Sequence, residues 1–324
     1  MTLHINEAEV RSVFTMAQAL DAVEDSLAKQ ARGEVVVQPR RRFELPGGYY
    51  HYMAAVDYKA GFLAQKQYTY VKGKLKFLVS LIEIASGDLV ALIEADYMGQ
   101  LRTGAASGVA TKYLARPDAK IAAIIGTGGQ ARTQLEAVAA VLKLDSARAY
   151  GRDVARREKF CAEMSQRLGI TVNAATSASE ALAGADIICT ATTVSQAVVT
   201  GSDIAKGMHI NAIGANHAHK RELDKEAVLR ADLIVTDSLE QAQQEAGDLV
   251  LAFDGSETRW ATVKLLANVV SGKIPGRTDY GQITLFKSNG IASWDLAAAM
   301  KVLSAVREKG LGRKLPLWSE STKP

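Results

Sequence analysis

The first hundred residues of the chain combine one helical pattern with several strand-like patterns. Thr15 and Gln18 form a capping-box pair ahead of the segment ALDAVEDSLAKQA, whose apolar spacing predicts a helix that Gly33 ends. Apolar runs then follow, separated by Pro-Gly-Gly, Lys-Gly and Ser-Gly-Asp turns: YYHYMAAV, FLAQKQYTY, KFLVSLIEI and DLVALIEA. Because such turns join neighbouring strands, this part of the chain predicts an antiparallel sheet of hairpins.

The pattern changes after a helical segment rich in small residues, RTGAASGVATKYLA, which Arg116, Pro117 and Asp118 end. Short apolar runs then recur, with helical segments between most of them: Ile121–Ile125, Ala147–Tyr150, Asp186–Thr190, His209–Ile213, Asp232–Thr236 and Ile283–Phe286. Apolar runs bounded by helices are typical of a parallel sheet that is covered on both faces.

The last helical pattern, SWDLAAAMKVLSAVREKG, is amphipathic and leads into a short tail. It is too small to fold alone, so we expect it to pack on the first domain. The predicted fold class is therefore α/β, with a doubly wound, Rossmann-type parallel sheet inserted into an α+β domain. We predict one domain from residues 1–117, completed by 289–324, and a second domain from residues 118–288.

Composition is that of an ordinary globular protein, with 48% hydrophobic and 23% charged residues among 324. The net charge of +4 is spread among acidic residues, which argues against a nucleic-acid partner. No run approaches the ~20 apolar residues that span a bilayer, and the N-terminus lacks a secretory pattern. Cys161 and Cys189 give no disulfide framework, so we expect reduced cysteines, a cytoplasmic location and no membrane partner.

The candidate chemistry begins at the glycine turn Gly126-x-Gly128-x-x-Ala131, which lies between a predicted strand and a predicted helix. Gly126 permits the tight turn, Gly128 lets the backbone approach a pyrophosphate, and Ala131 is small enough for close helix–strand packing. The N–H groups of Gly129 and Gln130, at the start of the helix, would face the phosphates. Residues 118–288 are therefore predicted to bind a dinucleotide.

The end of the second strand, ARAYGRD, bears on the choice of dinucleotide. Arg152 comes first, Asp153 follows, and Arg156 lies one turn further on. An arginine here suits the 2′-phosphate of NADP, whereas an acid suits the ribose hydroxyls of NAD. We predict NADP(H). NAD(H) stays possible, if Arg152 is a surface charge and Asp153 binds the ribose.

The chain resembles the ornithine cyclodeaminase/mu-crystallin family over almost its whole length. The segments that carry the resemblance are QPRRR, AQKQYTY, ASGDLVALIEADYMGQLRTGAASGVAT, IIGTGGQARTQ, INAIGANHAHKREL and LFKSNGIASWDLAAA. The family includes ornithine and lysine cyclodeaminases, alanine dehydrogenases, reductases of cyclic ketimine carboxylates, and crystallins that bind NADPH and a hormone. The resemblance implies a homodimer built through the first domain, a cofactor in the second, and a small imino or amino acid substrate in the cleft between them.

The resemblance also implies which residues meet the substrate, whose carboxylate needs fixed cations. Arg41, Lys66 and Arg102 match the family's substrate-binding positions, although Arg40 and Arg42 leave the register of the first one open. Arginine binds a carboxylate through two parallel hydrogen bonds, which suits this task.

Cofactor contacts are implied in the loops that follow two strands of the second domain. Thr192 and Thr193 follow the strand that ends at Thr190, and Lys287 and Ser288 follow the strand that ends at Phe286. Loops at the carboxyl ends of parallel strands line the dinucleotide site in this class of fold. His217 and His219 could share one face of a strand, but two ligands do not close a metal site, so no metal is expected.

The sequence departs from the cyclodeaminases at Asn216, where those enzymes carry an aspartate taken as the general acid/base. An amide cannot accept the protons that ornithine cyclisation releases. Reduction of a cyclic ketimine asks for less: Asn216 could accept the N–H of an iminium, and Lys66 could protonate a neutral imine. We therefore predict an NAD(P)H-dependent reductase of 1-pyrroline-2-carboxylate or 1-piperideine-2-carboxylate. Alternatives are an ornithine or lysine cyclodeaminase, an alanine-type dehydrogenase, and a non-catalytic, crystallin-like protein that binds NADPH and a ligand.

Overall fold

The computed structural model of the protein describes residues 1–317, so residues 318–324 of the predicted 289–324 segment lie outside the described residues. The described chain forms two compact units. Unit 1 consists of Met1–Arg102 and the described residues from Ile291 onward, and unit 2 consists of Thr103–Gly290. Helices and strands are numbered separately, in chain order.

The strands are β1 (Thr2–Ile5), β2 (Val35–Leu45), β3 (Gly48–Asp57), β4 (Phe62–Val71), β5 (Lys74–Glu83), β6 (Leu89–Glu94), β7 (Ile121–Ile125), β8 (Ser146–Tyr150), β9 (Thr171–Ala174), β10 (Ile187–Thr190), β11 (His209–Ala212), β12 (Leu233–Thr236), β13 (Lys264–Leu265), β14 (Thr284–Lys287) and β15 (Arg313–Leu315). The helices are α1 (Glu7–Val13), α2 (Met16–Ala31), α3 (Asp96–Leu114), α4 (Gly129–Val141), α5 (Val154–Leu168), α6 (Ala178–Leu182), α7 (Lys225–Leu229), α8 (Leu239–Glu245), α9 (Gly247–Phe253), α10 (Glu257–Trp260), α11 (Leu266–Val270) and α12 (Ala292–Glu308). A short 3₁₀ turn lies at Gly201–Asp203.

The described strands of unit 1 form one mixed sheet in the order β15-β1-β6-β5-β4-β3-β2. Successive antiparallel hairpins join β2 to β6, which confirms the predicted hairpin sheet. The sequence pattern does not predict β2, because Pro39 and three consecutive arginines interrupt its apolar alternation. The pairing of β2 with β3 shifts register between Gln38 and Arg41, at this same point.

Helix α2 carries the predicted capping box. The Thr15 hydroxyl accepts the Gln18 N–H at 3.4 Å, and the Gln18 side chain accepts the Thr15 N–H at 2.9 Å. Gly33 follows the helix with a φ of +77°, which favours glycine. At the other end of the chain, α12 packs against α2, β3 and β4, and therefore completes the core of unit 1.

The described strands of unit 2 form a parallel sheet in the order β13-β12-β14-β11-β10-β7-β8-β9. Apolar clusters cover both of its faces, which confirms the doubly wound fold class. The six predicted strands are all present. The two edge strands give no apolar run: three of the four residues of β9 are exposed, and β13 has only two residues. The strand order reverses between β7 and β10, where folds of this class bind their ligands.

The units divide between Arg102 and Thr103, inside α3, rather than near residue 117 as the sequence suggests. The reason is that the second half of α3 packs within unit 2. A Cβ on Gly104 would overlap the backbone of Thr133, and Asn211 Nδ2 donates to Thr111 Oγ1 at 3.0 Å. The second division falls between 290 and 291, against 288 and 289 in the prediction.

Candidate functional site

A pocket of about 940 Å³ lies in unit 2 at the point where the strand order reverses. Residues that follow β7, β8 and β10 line it: Gly126 to Gly128, Gly151 to Arg156, and Ala191 to Val194. The glycine turn, the arginine segment and the two predicted threonines therefore border one pocket. This position and size suit a dinucleotide.

The glycine turn has the backbone geometry that its sequence predicts. Gly126 has a φ of +110°, and a Cβ there would lie 2.5 Å from the Ala191 carbonyl oxygen, so only glycine fits. Gly128 precedes α4 without a side-chain cap, and space is open where its Cβ would be. The N–H groups of Gly129 and Gln130 begin α4, and Ala131 is fully buried in the helix–sheet core. A phosphate could thus approach the N-terminus of α4 closely.

Arg152 and Arg156 are exposed at the pocket, and Asp153 lies between them in sequence. The Asp153 carboxylate is engaged locally: Oδ1 accepts the Arg156 N–H at 3.0 Å as the cap of α5, and Oδ2 lies 3.5 Å from Arg156 Nε. A carboxylate that caps its own helix is less available to a ribose than a free one would be. Arg152 has no comparable local role in the described chain.

Thr192 and Thr193 both border the pocket, but their environments differ. Thr193 is exposed. Thr192 is hydrogen-bonded to the buried carboxylate of Glu222. The Thr192 N–H donates to Glu222 Oε1 at 2.6 Å, and the Thr192 hydroxyl donates to the same oxygen at 2.7 Å.

Lys287 and Ser288 are predicted to contact the cofactor, but their side chains are buried and bonded within unit 2. Lys287 Nζ donates to the Ala215 carbonyl at 2.6 Å and lies 2.9 Å from Asp248 Oδ2. The Ser288 hydroxyl donates to Asp237 Oδ2 at 3.2 Å. Neither residue is among those that line the pocket, and both side chains are bonded to groups within unit 2. The sequence pattern missed this because it does not show which carboxylates lie beneath a loop.

Asn216 lies in the loop after β11, next to the carbonyl that Lys287 binds. Its Oδ1 is 2.9 Å from Nδ1 of His217, whose ring packs edge-on against His219 at 5.5 Å between centroids. Among residues 1–317, no group of three or more His, Cys, Asp or Glu side chains could hold a metal ion. The segment is therefore a polar loop built on unit 2.

Unit 1 contains a buried charge cluster formed by Lys66 of β4, Arg102 of α3 and Asp295 of α12. Lys66 Nζ and Arg102 Nε both meet the same oxygen, Asp295 Oδ1, at 2.9 and 3.1 Å. The three residues are at most 5% exposed. Arg102 Nη1 and Asp295 Oδ2 are buried without a hydrogen-bond partner in the described chain. One cationic donor and one carboxylate acceptor of the cluster therefore have unsatisfied hydrogen-bonding capacity.

Aromatic rings border this cluster. The Phe77 ring centroid is 5.4 Å from Lys66 Nζ, and the Trp294 ring centroid is 5.9 Å from the Arg102 guanidinium carbon. Burial, together with the charge of Arg102, lowers the pKa of the Lys66 ammonium to about 8, although Asp295 opposes the change. A lysine with a pKa near neutrality can donate a proton and be reprotonated.

The structure distinguishes the arginines whose register the sequence leaves open. Arg41 is exposed, whereas Arg40 is buried and its positive charge adds to the lowering of the Lys66 pKa. The cause is the register shift between Gln38 and Arg41, which breaks the alternation that assigns side chains to faces. Arg40 therefore replaces Arg41 as the candidate on this strand.

Three charged residues of these clusters escaped the sequence prediction: Asp295, Glu222 and Asp248. Asp295 had a signal, since it is a lone carboxylate within the apolar segment SWDLAAA. Glu222 and Asp248 had none, because their partners lie far away in the chain. Cys161 and Cys189 are buried free thiols. No helix in residues 1–317 has the length and apolar character to span a membrane.

The chain is similar in sequence and in structure to known proteins. The sequence profile of the ornithine cyclodeaminase/mu-crystallin family matches residues 2–310. A Delta(1)-pyrroline-2-carboxylate reductase from Bacillus thuringiensis subsp. konkukian is 36% identical over 245 residues, which cover 75% of each chain. The Thermococcus litoralis Delta(1)-pyrroline-2-carboxylate reductase, solved with NADH and L-proline, is 35% identical with a TM-score of 0.93, covering 97% of this chain and 100% of that one. An archaeal alanine dehydrogenase dimer with bound NAD is 32% identical with a TM-score of 0.92, covering 98% and 99%.

Proposed function

Since the chain belongs to the ornithine cyclodeaminase/mu-crystallin family, we propose that it is an NAD(P)H-dependent reductase of small cyclic ketimine carboxylates. The substrates would be 1-pyrroline-2-carboxylate or 1-piperideine-2-carboxylate, and the products cyclic amino acids. The observation that carries the proposal is the buried cluster of Lys66, Arg102 and Asp295, with its open cationic donor. The pyrroline-2-carboxylate reductases among the similar proteins support the same chemistry.

Charge balance in the cluster favours an anionic substrate. Lys66 and Arg102 contribute two positive charges, and both meet the same oxygen of one carboxylate, Asp295. Buried charge that lacks a partner is costly, and a substrate carboxylate on Arg102 Nη1 would supply the missing negative charge. In this proposal Asp295 orients Lys66 and Arg102, and its second oxygen can accept the N–H of the substrate ring.

Reduction of the C=N bond adds a hydride to carbon and, for a neutral imine, a proton to nitrogen. The bound reduced nicotinamide supplies the hydride. Lys66 would supply the proton, since burial has brought its pKa to about 8, and an iminium would arrive already protonated. Asn216 would serve as a hydrogen-bond acceptor and not as a base. The absence of a carboxylate at this position is the reason to place ketimine reduction ahead of ornithine cyclodeamination.

The cofactor preference is proposed to be NADP(H), although the solved relatives hold NADH or NAD. Support comes from Arg152 and Arg156, which border the pocket, and from Asp153, whose carboxylate caps α5. An arginine pair suits a 2′-phosphate. We also propose a homodimer, as in the archaeal alanine dehydrogenase, and a cytoplasmic location consistent with two free cysteines.

One panel of reactions tests the proposal. NADPH and NADH absorbance is followed with 1-pyrroline-2-carboxylate, with 1-piperideine-2-carboxylate, and with pyruvate plus ammonia, and ammonia release is measured from ornithine with NAD. We expect oxidation of NADPH with a cyclic ketimine. Similarity to alanine dehydrogenase makes pyruvate plus ammonia the second candidate, and faster turnover there would replace the proposal. Cofactor binding without any turnover would indicate a crystallin-like binding protein.

A further inference from the structure

Two loops of unit 2 meet on one buried carboxylate, that of Glu222. Its Oε1 accepts the N–H and the hydroxyl of Thr192, at 2.6 and 2.7 Å. Its Oε2 accepts the Thr190 hydroxyl at 2.7 Å and the Gly214 N–H at 2.6 Å. Four donors from the end of β10, the loop after it and the loop after β11 therefore converge on one side chain.

The backbone of Glu222 is in turn hydrogen-bonded to a second buried carboxylate, that of Asp248. Asp248 Oδ1 accepts the N–H groups of Glu222 and Leu223 at 2.6 and 2.9 Å. Asp248 Oδ2 pairs with Lys287, whose ammonium binds the carbonyl of Ala215, the residue before Asn216. A Cβ on Gly214 would overlap the Thr192 backbone and the Glu222 carboxylate, so the two loops pack without a gap. Any displacement of Glu222 must move both loops.

We propose that Glu222 is a positioning residue for the nicotinamide end of the cofactor, a role that rests on the proposed function and acts through Thr192. The Thr192 hydroxyl donates its single proton to Glu222, so toward the pocket it can only accept. One lone pair meets the Val194 N–H at 3.5 Å, and the second is available to a ligand. The group of the cofactor that offers N–H donors at this end is the nicotinamide carboxamide.

Reduced cofactor and its 3-acetylpyridine analogue, in which a methyl replaces the carboxamide NH₂, test the proposal without turnover. Dissociation constants are measured by fluorescence titration for the NADPH pair and the NADH pair. One lost hydrogen bond predicts that the wild type binds the natural cofactor roughly tenfold more tightly than the analogue.

In Glu222→Gln, one carboxylate oxygen becomes an NH₂ group. If that group faces Thr192, it opposes the Thr192 backbone N–H, and the Thr192 hydroxyl must accept from it and point its own proton into the pocket. If it faces Gly214, it opposes a backbone N–H that cannot turn away, and the loops separate. Both cases predict that the preference for the carboxamide falls to about onefold, while affinity for 2′,5′-ADP, which lacks nicotinamide, changes by less than about twofold.

Two controls keep the result interpretable. Glu226→Gln makes the same substitution at an exposed position of α7 and should retain the preference. Thr192→Val should lose the preference and Thr192→Ser should keep it, which decides the matter even if Glu222→Gln fails to fold. A folded Glu222→Gln or Thr192→Val protein with the full preference would overturn the proposal. Failure of the proposed reaction would appear only in the turnover panel, because this comparison measures binding alone.

Discussion

Units 1 and 2 each bury a lysine beside an aspartate, yet the two clusters differ in how many of their charged atoms have a bonding partner. In unit 1, Lys66 and Arg102 share one oxygen of Asp295, and a donor and an acceptor remain open. In unit 2, Lys287 pairs with Asp248 and also binds a carbonyl, and every Glu222 oxygen accepts two donors. We therefore expect the partly bonded charge of unit 1 to meet a ligand, and the fully bonded charge of unit 2 to hold its loops in position.

Removal of Arg102 should have the largest effect, because it takes away the open donor of unit 1. Arg102→Met is expected to lower kcat/KM for a cyclic ketimine by roughly 10²–10³-fold, as truncation of a buried charge partner costs about 3–4 kcal/mol. Cofactor affinity should be nearly unchanged. Steady-state kinetics and NADPH titration measure both, with the exposed Arg307→Met as control. A variant that unfolds or stays active would make Arg102 structural.

The lowered pKa of Lys66 predicts a pH effect on stability. Folding brings this pKa from 10.5 to about 8, so between these values the unfolded chain binds more protons and stability rises with pH. Relative to Lys66→Met, the wild type should gain about 3 kcal/mol in free energy of unfolding between pH 8 and 10.5. Urea unfolding of both proteins across this range gives the difference. A constant difference would show that Lys66 is not held at a lowered pKa.

Reversing the charge of the Arg152 side chain tests whether the cofactor is bound by exposed charge at the rim of the pocket. The alternative is the buried charge cluster of unit 2. Arg152→Asp should weaken NADPH binding by about 1.5–3 kcal/mol and NADH binding much less, since one charge-assisted phosphate contact is lost. Titration of both cofactors against wild type, variant and the exposed Lys206→Asp control measures this. Equal weakening, or a wild type that prefers NADH, would reverse the NADP assignment.

The smallest effect on activity is expected from substitution of Asn216, which follows the carbonyl that Lys287 binds. The wild type should release no detectable ammonia from ornithine, and Asn216→Asp should add one ionisation to the pH profile of ketimine reduction with at most slight deaminating activity. Asn216→Gln, which stays neutral, is the matched control. Ammonia release by the wild type at a rate comparable to ketimine reduction would put cyclodeamination first.

Local patterns were sufficient for most of the fold. The capping box of α2, the hairpins and the six central strands of unit 2 each follow from neighbouring residues. Strand β2 was missed because Pro39 and three consecutive arginines interrupt its apolar alternation. The choice between Arg40 and Arg41 stayed open because a register shift leaves no mark in the spacing of side chains. The boundary inside α3 was missed because a continuous helix gives no signal where its packing partners change.

The residues of the candidate site also divide into those that local sequence predicts and those that depend on distant partners. Gly126 was predictable, since its positive φ and the nearby Ala191 carbonyl demand glycine there. The burial of Lys287 and Ser288 was not, because their partners Asp248 and Asp237 lie many residues away. Asp295 joins Lys66 across more than two hundred positions, which only the folded chain brings together.

The position of α12 at the end of the chain sets an order on the assembly of unit 1. Unit 2 is a continuous segment, and its last residue is synthesised before Asp295. Lys66 and Arg102 are synthesised much earlier, so they have no contact with Asp295 until unit 2 has been made. A chain that stops before Ile291 therefore has every residue that lines the nucleotide pocket, but it lacks Asp295, the carboxylate that Lys66 and Arg102 bind. The charge cluster of unit 1 can therefore form only after unit 2 has been synthesised.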